Sequence, residues 1–172
     1  MSFSVWLTGL PGAGKSTLGQ ALAEDLKHSG LVVERLDSDR MDAGVVANLG
    51  TDRRSRELRA RILAFAAARL NDHGVACVIA ATAPRIEVRA QLRRIIRRFV
   101  EVHVSCPLSV AETRDPKGLY ALARRGLLQE FTGIGEPYEE PETPDVVVYT
   151  DRERVEECVG RIHTCLAMKG LV

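Results

Sequence analysis

Gly9-Leu10-Pro11-Gly12-Ala13-Gly14-Lys15-Ser16-Thr17 stands between a short apolar run, Val5-Trp6-Leu7, and a stretch patterned as a helix. In that order the nine residues form a phosphate cradle. A nucleoside triphosphate carries several negative charges that backbone N–H groups must meet at close range, and glycines at 9, 12 and 14 keep side chains out of the way. Lys15 brings an ammonium to the β- and γ-phosphates, and Ser16 offers a hydroxyl to Mg²⁺. Ala13 and Thr17 complete the ATP-binding loop, and the following helix turns its positive end toward the anion.

Outward from the loop, strand and helix patterns alternate. Ser4–Thr8 reads as a buried strand and Lys15–Ser29 as a helix, with Leu18, Leu22 and Leu26 stacked on one face. A strand over Leu31–Leu36 ends at Asp37-Ser38-Asp39. The next helix, Arg54–Asp72, carries Leu58, Ile62, Leu63, Ala66 and Leu70 on one side. The unbroken apolar run Val75–Thr82 is the pattern of a central strand in a parallel sheet covered on both faces. Helix Arg85–Arg98, strand Val100–Cys106, a short helix from Pro107, strand Val146–Tyr149 and a C-terminal helix complete the chain. This succession predicts an α/β fold: a doubly wound parallel sheet of about five strands in the three-layer, nucleotide-kinase-like P-loop architecture, forming one domain over residues 1–172. Ligands belong at the carboxyl ends of its strands.

Residues 115–144 break the alternation with Gly, Pro and charge, apart from a helical piece near Tyr120–Arg125. So long an irregular stretch in a compact domain predicts a lid.

Composition agrees with a small enzyme. The 172 residues are 45% hydrophobic, enough for one core, and 24 basic against 23 acidic residues leave a net charge of +1. No overall field selects nucleic acid or an anionic membrane. The arginine-rich stretch between Arg53 and Arg98 reads as solvated helix faces. Cysteines 77, 106, 158 and 165 lack metal-ligand spacing and read as reduced, mostly buried residues. No apolar run is long enough to span a bilayer, and Met1–Ser4 leads into the first strand without a charged-then-apolar leader. A cytoplasmic setting is expected.

Asp37 and Asp39 close the second strand on the rim where a phosphoryl acceptor would lie. Carboxylates there can hold Mg²⁺ or accept the proton of an attacking hydroxyl. Further on come Asp115-Pro-Lys-Gly-Leu-Tyr120, Ala123-Arg124, Phe131-Thr-Gly-Ile134 and Pro137-Tyr-Glu139, then Pro141 and Pro144. Together with the front loop and Leu36-Asp-Ser-Asp39, this series resembles the adenylylsulfate (APS) kinase family over nearly the whole chain.

The resemblance implies transfer of the γ-phosphate of ATP to the 3′-hydroxyl of adenosine 5′-phosphosulfate, giving PAPS, the activated sulfate donor. It also implies Mg²⁺, small-molecule nucleotide partners and a homodimer. Lys15, Asp39 and Lys117 would be catalytic. Arg114 and Arg124 would join the loop on the ATP side, and Ser16 and Asp39 would hold the metal. Acceptor binding would fall to Asp37, Arg40, Arg56, Arg59, Ala83, Pro84, Lys117 and Phe131.

In the acceptor half the chain departs from the family pattern. Asp-Gly-Asp-Asn-x-Arg becomes Asp37-Ser38-Asp39-Arg40-Met41-Asp42, Leu-Gly-Phe becomes Leu49-Gly50-Thr51, the asparagine three after Arg56 becomes Arg59, and Ile-Ser-Pro-Tyr-Arg becomes Thr82-Ala83-Pro84-Arg85-Ile86. A stacked aromatic is worth about 1–3 kcal/mol per base, so losing one is consequential unless an arginine stacks instead. Three readings follow: an APS kinase with a remodelled pocket, a related kinase acting on another nucleotide-type acceptor such as a cytidine diphosphate derivative, or an ATP-binding switch without turnover.

Overall fold

The computed structural model describes residues 2–41, 49–50 and 52–172. Five strands, β1 (Ser4–Thr8), β2 (Val33–Asp37), β3 (Ala76–Ala80), β4 (Phe99–Ser105) and β5 (Val146–Tyr149), form one all-parallel sheet in the order β2-β3-β1-β4-β5. β1 therefore lies at the centre, and β3 and β4 flank it in register, Trp6 opposite both Ile79 and Glu101. Every residue of β1 and β3 is buried, which is why both read as continuous runs without polar alternation.

Helices cover both faces. On one side α1 (Lys15–His28) and α6 (Val155–Met168) pack on Val5, Leu7, Val78 and Val102, meeting them with Leu18, Leu22, Ile162 and Leu166. On the other, α2 (Arg53–Asp72) and α3 (Ile86–Ile95) cover Trp6, Cys77 and Ile79. The short α4 (Leu108–Arg114) and α5 (Leu119–Arg124) lie at the carboxyl end of the sheet. The predicted architecture holds: β1 and β5 have their predicted bounds, and the other strand and helix ends shift by at most three residues.

The face of α2 differs from expectation. Its buried residues are Ala60, Leu63, Ala64, Ala67 and Asn71, whereas Leu58 is 41% and Phe65 is 65% exposed. Small side chains let the helix backbone approach the sheet closely, so the packed stripe follows the alanines rather than the bulkiest residues. The arginine-rich stretch needs a similar correction. Arg53, Arg54, Arg93, Arg94, Arg97 and Arg98 are exposed, but Arg89 is buried and Arg56, Arg59, Arg61 and Arg85 are half-buried. The four cysteines are free, and all but the half-buried Cys165 are fully inside. No helix among the described residues is long and apolar enough to cross a membrane.

The last turn of α2 is fixed by a buried amide. Asn71 accepts from the Ser4 hydroxyl at 2.8 Å and donates to the carbonyls of Phe3 and Val75, both at 2.9 Å. Asn71→Leu removes all of these bonds at a buried site, and a loss of about 2–4 kcal/mol is expected in urea denaturation. A loss below about 1 kcal/mol would show that the amide does not hold the helix to β1.

Candidate active site

The loop from β1 into α1 turns through left-handed backbone at Gly12, φ 76°, and Gly14, φ 93°. A side chain at Gly12 would place its Cβ 2.7 Å from the Ala111 carbonyl oxygen, so the loop can lie against α4 only with glycine there. Gly9 and Ala13 are buried beneath the loop and support it, whereas Gly12, Gly14, Lys15, Ser16 and Thr17 line a cleft of about 630 Å³ at the carboxyl end of the sheet. The loop is fastened from the far side too: Thr150, after β5, donates its hydroxyl to the Ala13 carbonyl at 2.7 Å. Arg114 then holds the Thr150 carbonyl at 2.6 Å.

The Lys15 ammonium is folded back onto its own loop, donating to the carbonyls of Gly9 at 3.0 Å and Leu10 at 2.8 Å. Burial pushes its pKa down to about 8, against the opposing pull of Asp39 and Asp37. An anion in the cradle restores the charged form.

Asp37, at the end of β2, is buried and accepts the Asp39 backbone N–H at 3.0 Å, capping a single 3₁₀ turn over Ser38–Arg40. That cap aims Asp39 at the cleft. There its carboxylate meets Lys117 at 2.6 Å, with both side chains about half exposed. Lys117 comes from the segment after α4, so this ion pair joins the rim of the sheet to the predicted lid.

Most predicted site residues converge on this cleft. Arg56, Arg59, Ala83, Pro84, Arg114 and Phe131 line it alongside the loop, Asp37, Asp39 and Lys117. Arg56 is ion-paired with Glu136, and Arg59 donates to the Leu49 carbonyl at 2.7 Å. Phe131 packs edge-on against Tyr120, ring centroids 5.0 Å apart, and the Tyr120 hydroxyl donates to the Pro11 carbonyl at 2.8 Å. Arg40 is exposed on the 3₁₀ turn and Arg124 is ion-paired with Glu112; neither lines the cleft. Asp42 and Thr51, two of the departures from the family pattern, lie outside the described residues.

Sequence reasoning missed some of the wall. Glu57 lines the cleft and pairs with Arg53 and Arg61, a spacing of four that reads in sequence as an ordinary surface pair. Tyr120 was legible as part of Asp-Pro-Lys-Gly-Leu-Tyr, but nothing local pointed its hydroxyl at Pro11. The far end of the segment 115–144 is tied down: the Tyr138 hydroxyl lies 3.0 Å from Thr8 Oγ1, and the Glu139 N–H donates to the Pro84 carbonyl at 2.8 Å.

A family model for adenylylsulphate kinase matches residues 1–149. The chain is 44% identical to an adenylyl-sulfate kinase of Synechococcus sp. strain JA-2-3B'a(2-13), over 98% of this chain and 97% of the relative. It is 43% identical to that of Microcystis aeruginosa, over 98% and 93%. The structure of the Mycobacterium tuberculosis APS kinase CysC in complex with AMPPNP and APS superposes with a TM-score of 0.90 at 36% identity, covering 96% of this chain and 98% of that one.

Lys15 makes the free protein's stability pH-dependent. Its folded pKa of about 8 lies below the ordinary 10.5, so between these values the unfolded chain binds more protons and folding gains as pH rises. Relative to Lys15→Met, wild type should gain about 1–2 kcal/mol between about pH 7.5 and 9.5, measured by urea denaturation without nucleotide. A difference that stays constant across that range contradicts the buried-amine geometry.

Proposed function

This chain belongs to the adenylylsulphate kinase family, and we propose that it transfers the γ-phosphate of ATP to the 3′-hydroxyl of adenosine 5′-phosphosulfate (APS), forming PAPS. The observation that carries this reading is the meeting of Lys117 and Asp39 over the phosphate cradle. One ion pair brings together a base for the acceptor hydroxyl and a cation for the transferring phosphoryl group. A relative of the same fold binds AMPPNP together with APS, which supports two nucleotide substrates in one cleft.

The reaction needs an alcohol oxygen aligned behind the γ-phosphorus, its proton removed and the phosphoryl charge neutralised. Asp39 would accept the proton of the 3′-hydroxyl, its carboxylate facing the cleft from a capped turn. Lys15 and Lys117 line the same cleft from different elements, and the two ammonium groups would together neutralise charge on the phosphoryl group in transfer. Phe131 offers its ring to the acceptor's base, and Arg56 and Arg59 offer charge to its anionic groups. Arg114 serves the ATP side, with Arg124 reaching it only after release from Glu112. Residues 115–144 act as the lid, which keeps water from competing as acceptor.

Ser16 and Asp39, both lining the cleft, suit Mg²⁺, which takes one or two protein oxygens and completes its shell with phosphate and water. When bound it neutralises charge on the phosphate oxygens. The described residues contain no cluster of three or more His, Cys, Asp or Glu able to cage a metal, and an ion shared with a nucleotide needs none. A homodimer in the cytoplasm belongs to the same proposal.

Purified protein with Mg-ATP should release ADP in proportion to added APS and yield PAPS. Turnover of a cytidine diphosphate derivative but not of APS overturns the acceptor assignment, which the departures at Asp42, Thr51 and Arg59 make a necessary control. No turnover with any acceptor favours a switch. Asp39→Asn should lower kcat by about 10²–10⁴-fold while ATP affinity changes by less than about threefold. Unchanged turnover would remove Asp39 from the chemistry.

A further inference from the structure

Arg89 is the one arginine of α3 that is buried, at 3% exposure, and none of the proposed catalytic steps uses it. Its guanidinium is divided among three parts of the fold. Nε donates to Glu101 on β4 at 2.8 Å, Nη1 to the Ala83 carbonyl at 2.7 Å, and Nη2 to the Glu139 carbonyl at 2.6 Å. The same group lies over the Tyr138 ring, 5.6 Å from its centroid.

The two carbonyls belong to the wall of the cleft and to the anchored end of the lid. Ala83 is a buried, non-glycine residue at φ 40°, a conformation that costs energy and persists only where its surroundings impose it. Ala83 and Pro84 line the acceptor half of the cleft. Glu139 closes the circuit from the other side, its N–H on the Pro84 carbonyl and its carboxylate accepting the Ile86 N–H at 2.8 Å. The Thr8 hydroxyl donates to the Thr82 carbonyl at 2.5 Å and also meets Tyr138, so both segments are fixed to the central strand.

We propose that Arg89 is a positioning residue for the acceptor: its fork clamps the strained Ala83 turn to the end of the lid and so sets the wall against which the acceptor nucleotide binds. This rests on the kinase reading of the cleft. A lysine cannot reproduce the clamp, because one ammonium cannot span Glu101 and two carbonyls in a planar fork. None of the three partners of Arg89 belongs to the phosphate loop, so ATP binding should not depend on it.

The test compares wild type, Arg89→Lys and Glu139→Ala in steady-state kinetics with Mg-ATP and APS. Arg89→Lys keeps a cation opposite Glu101 and should raise KM for APS about tenfold, with KM for ATP within about twofold. Glu139→Ala, which removes the outer stitch without stranding a buried charge, should shift the same ratio in the same direction by about threefold. Equal changes in both KM values, or no change in either, in variants that melt cooperatively would overturn the positioning role. If Arg89→Lys does not fold, Glu101→Gln, which keeps an acceptor for Nε but removes the charge that holds the guanidinium, decides by the same KM split. A wild type inactive on APS refutes the functional reading instead, and the positioning role is then decided by the same split with whichever acceptor the enzyme does use.

Discussion

The close approach of the Gly12 backbone to α4 is the constraint on which the site depends. The Ala111 carbonyl would be 2.7 Å from a Cβ at that position, so the chain after β4 and the loop after β1 can be packed together only as backbone against backbone. Once they are, the amides of the loop have little freedom left, and α1 starts where its positive end faces the cleft. Thr150 and Arg114 extend the same fastening to β5. The sheet order makes this possible by putting β1 at the centre, with neighbours on both sides to hold it.

Around that rigid floor the charges balance by pairing across elements. Lys15 rests on its own loop carbonyls, Lys117 on Asp39 and Arg56 on Glu136, the last two pairs joining the lid segment to the body. Of these, the half-exposed Lys117–Asp39 pair contributes little to stability and can be given up at little cost, whereas Arg56–Glu136 is more deeply enclosed. The buried Arg89–Glu101 pair is a different case. Neither side chain lines the cleft, and removing one would strand the other in the interior.

The residues legible in advance were those whose role follows from neighbours in sequence. Gly9 to Thr17 dictate a cradle by their order, and Asp37 and Asp39 announce a strand end by closing an apolar run. Lys117 stands in a run that also specifies the turn around it. Arg89 offered no such sign, because its partners lie at 83, 101 and 139, and among many arginines it looked like one more solvated charge. The packed face of α2 was misjudged for a related reason. Apolar bulk can be read from a sequence, but how close a helix comes to its sheet depends on what faces it, and here alanines face it.

Sequence alone determined the layered parallel fold, the glycine-rich loop after β1 and the family, because each rests on local order: periodicity, glycine placement and short motifs. Tertiary structure decided which charges meet, which arginine goes inside, and that the far end of residues 115–144 is tied to the Ala83–Pro84 turn. Those outcomes depend on distances between segments far apart in the chain, and the geometry of a hydrogen bond is settled only when both of its ends have been brought together.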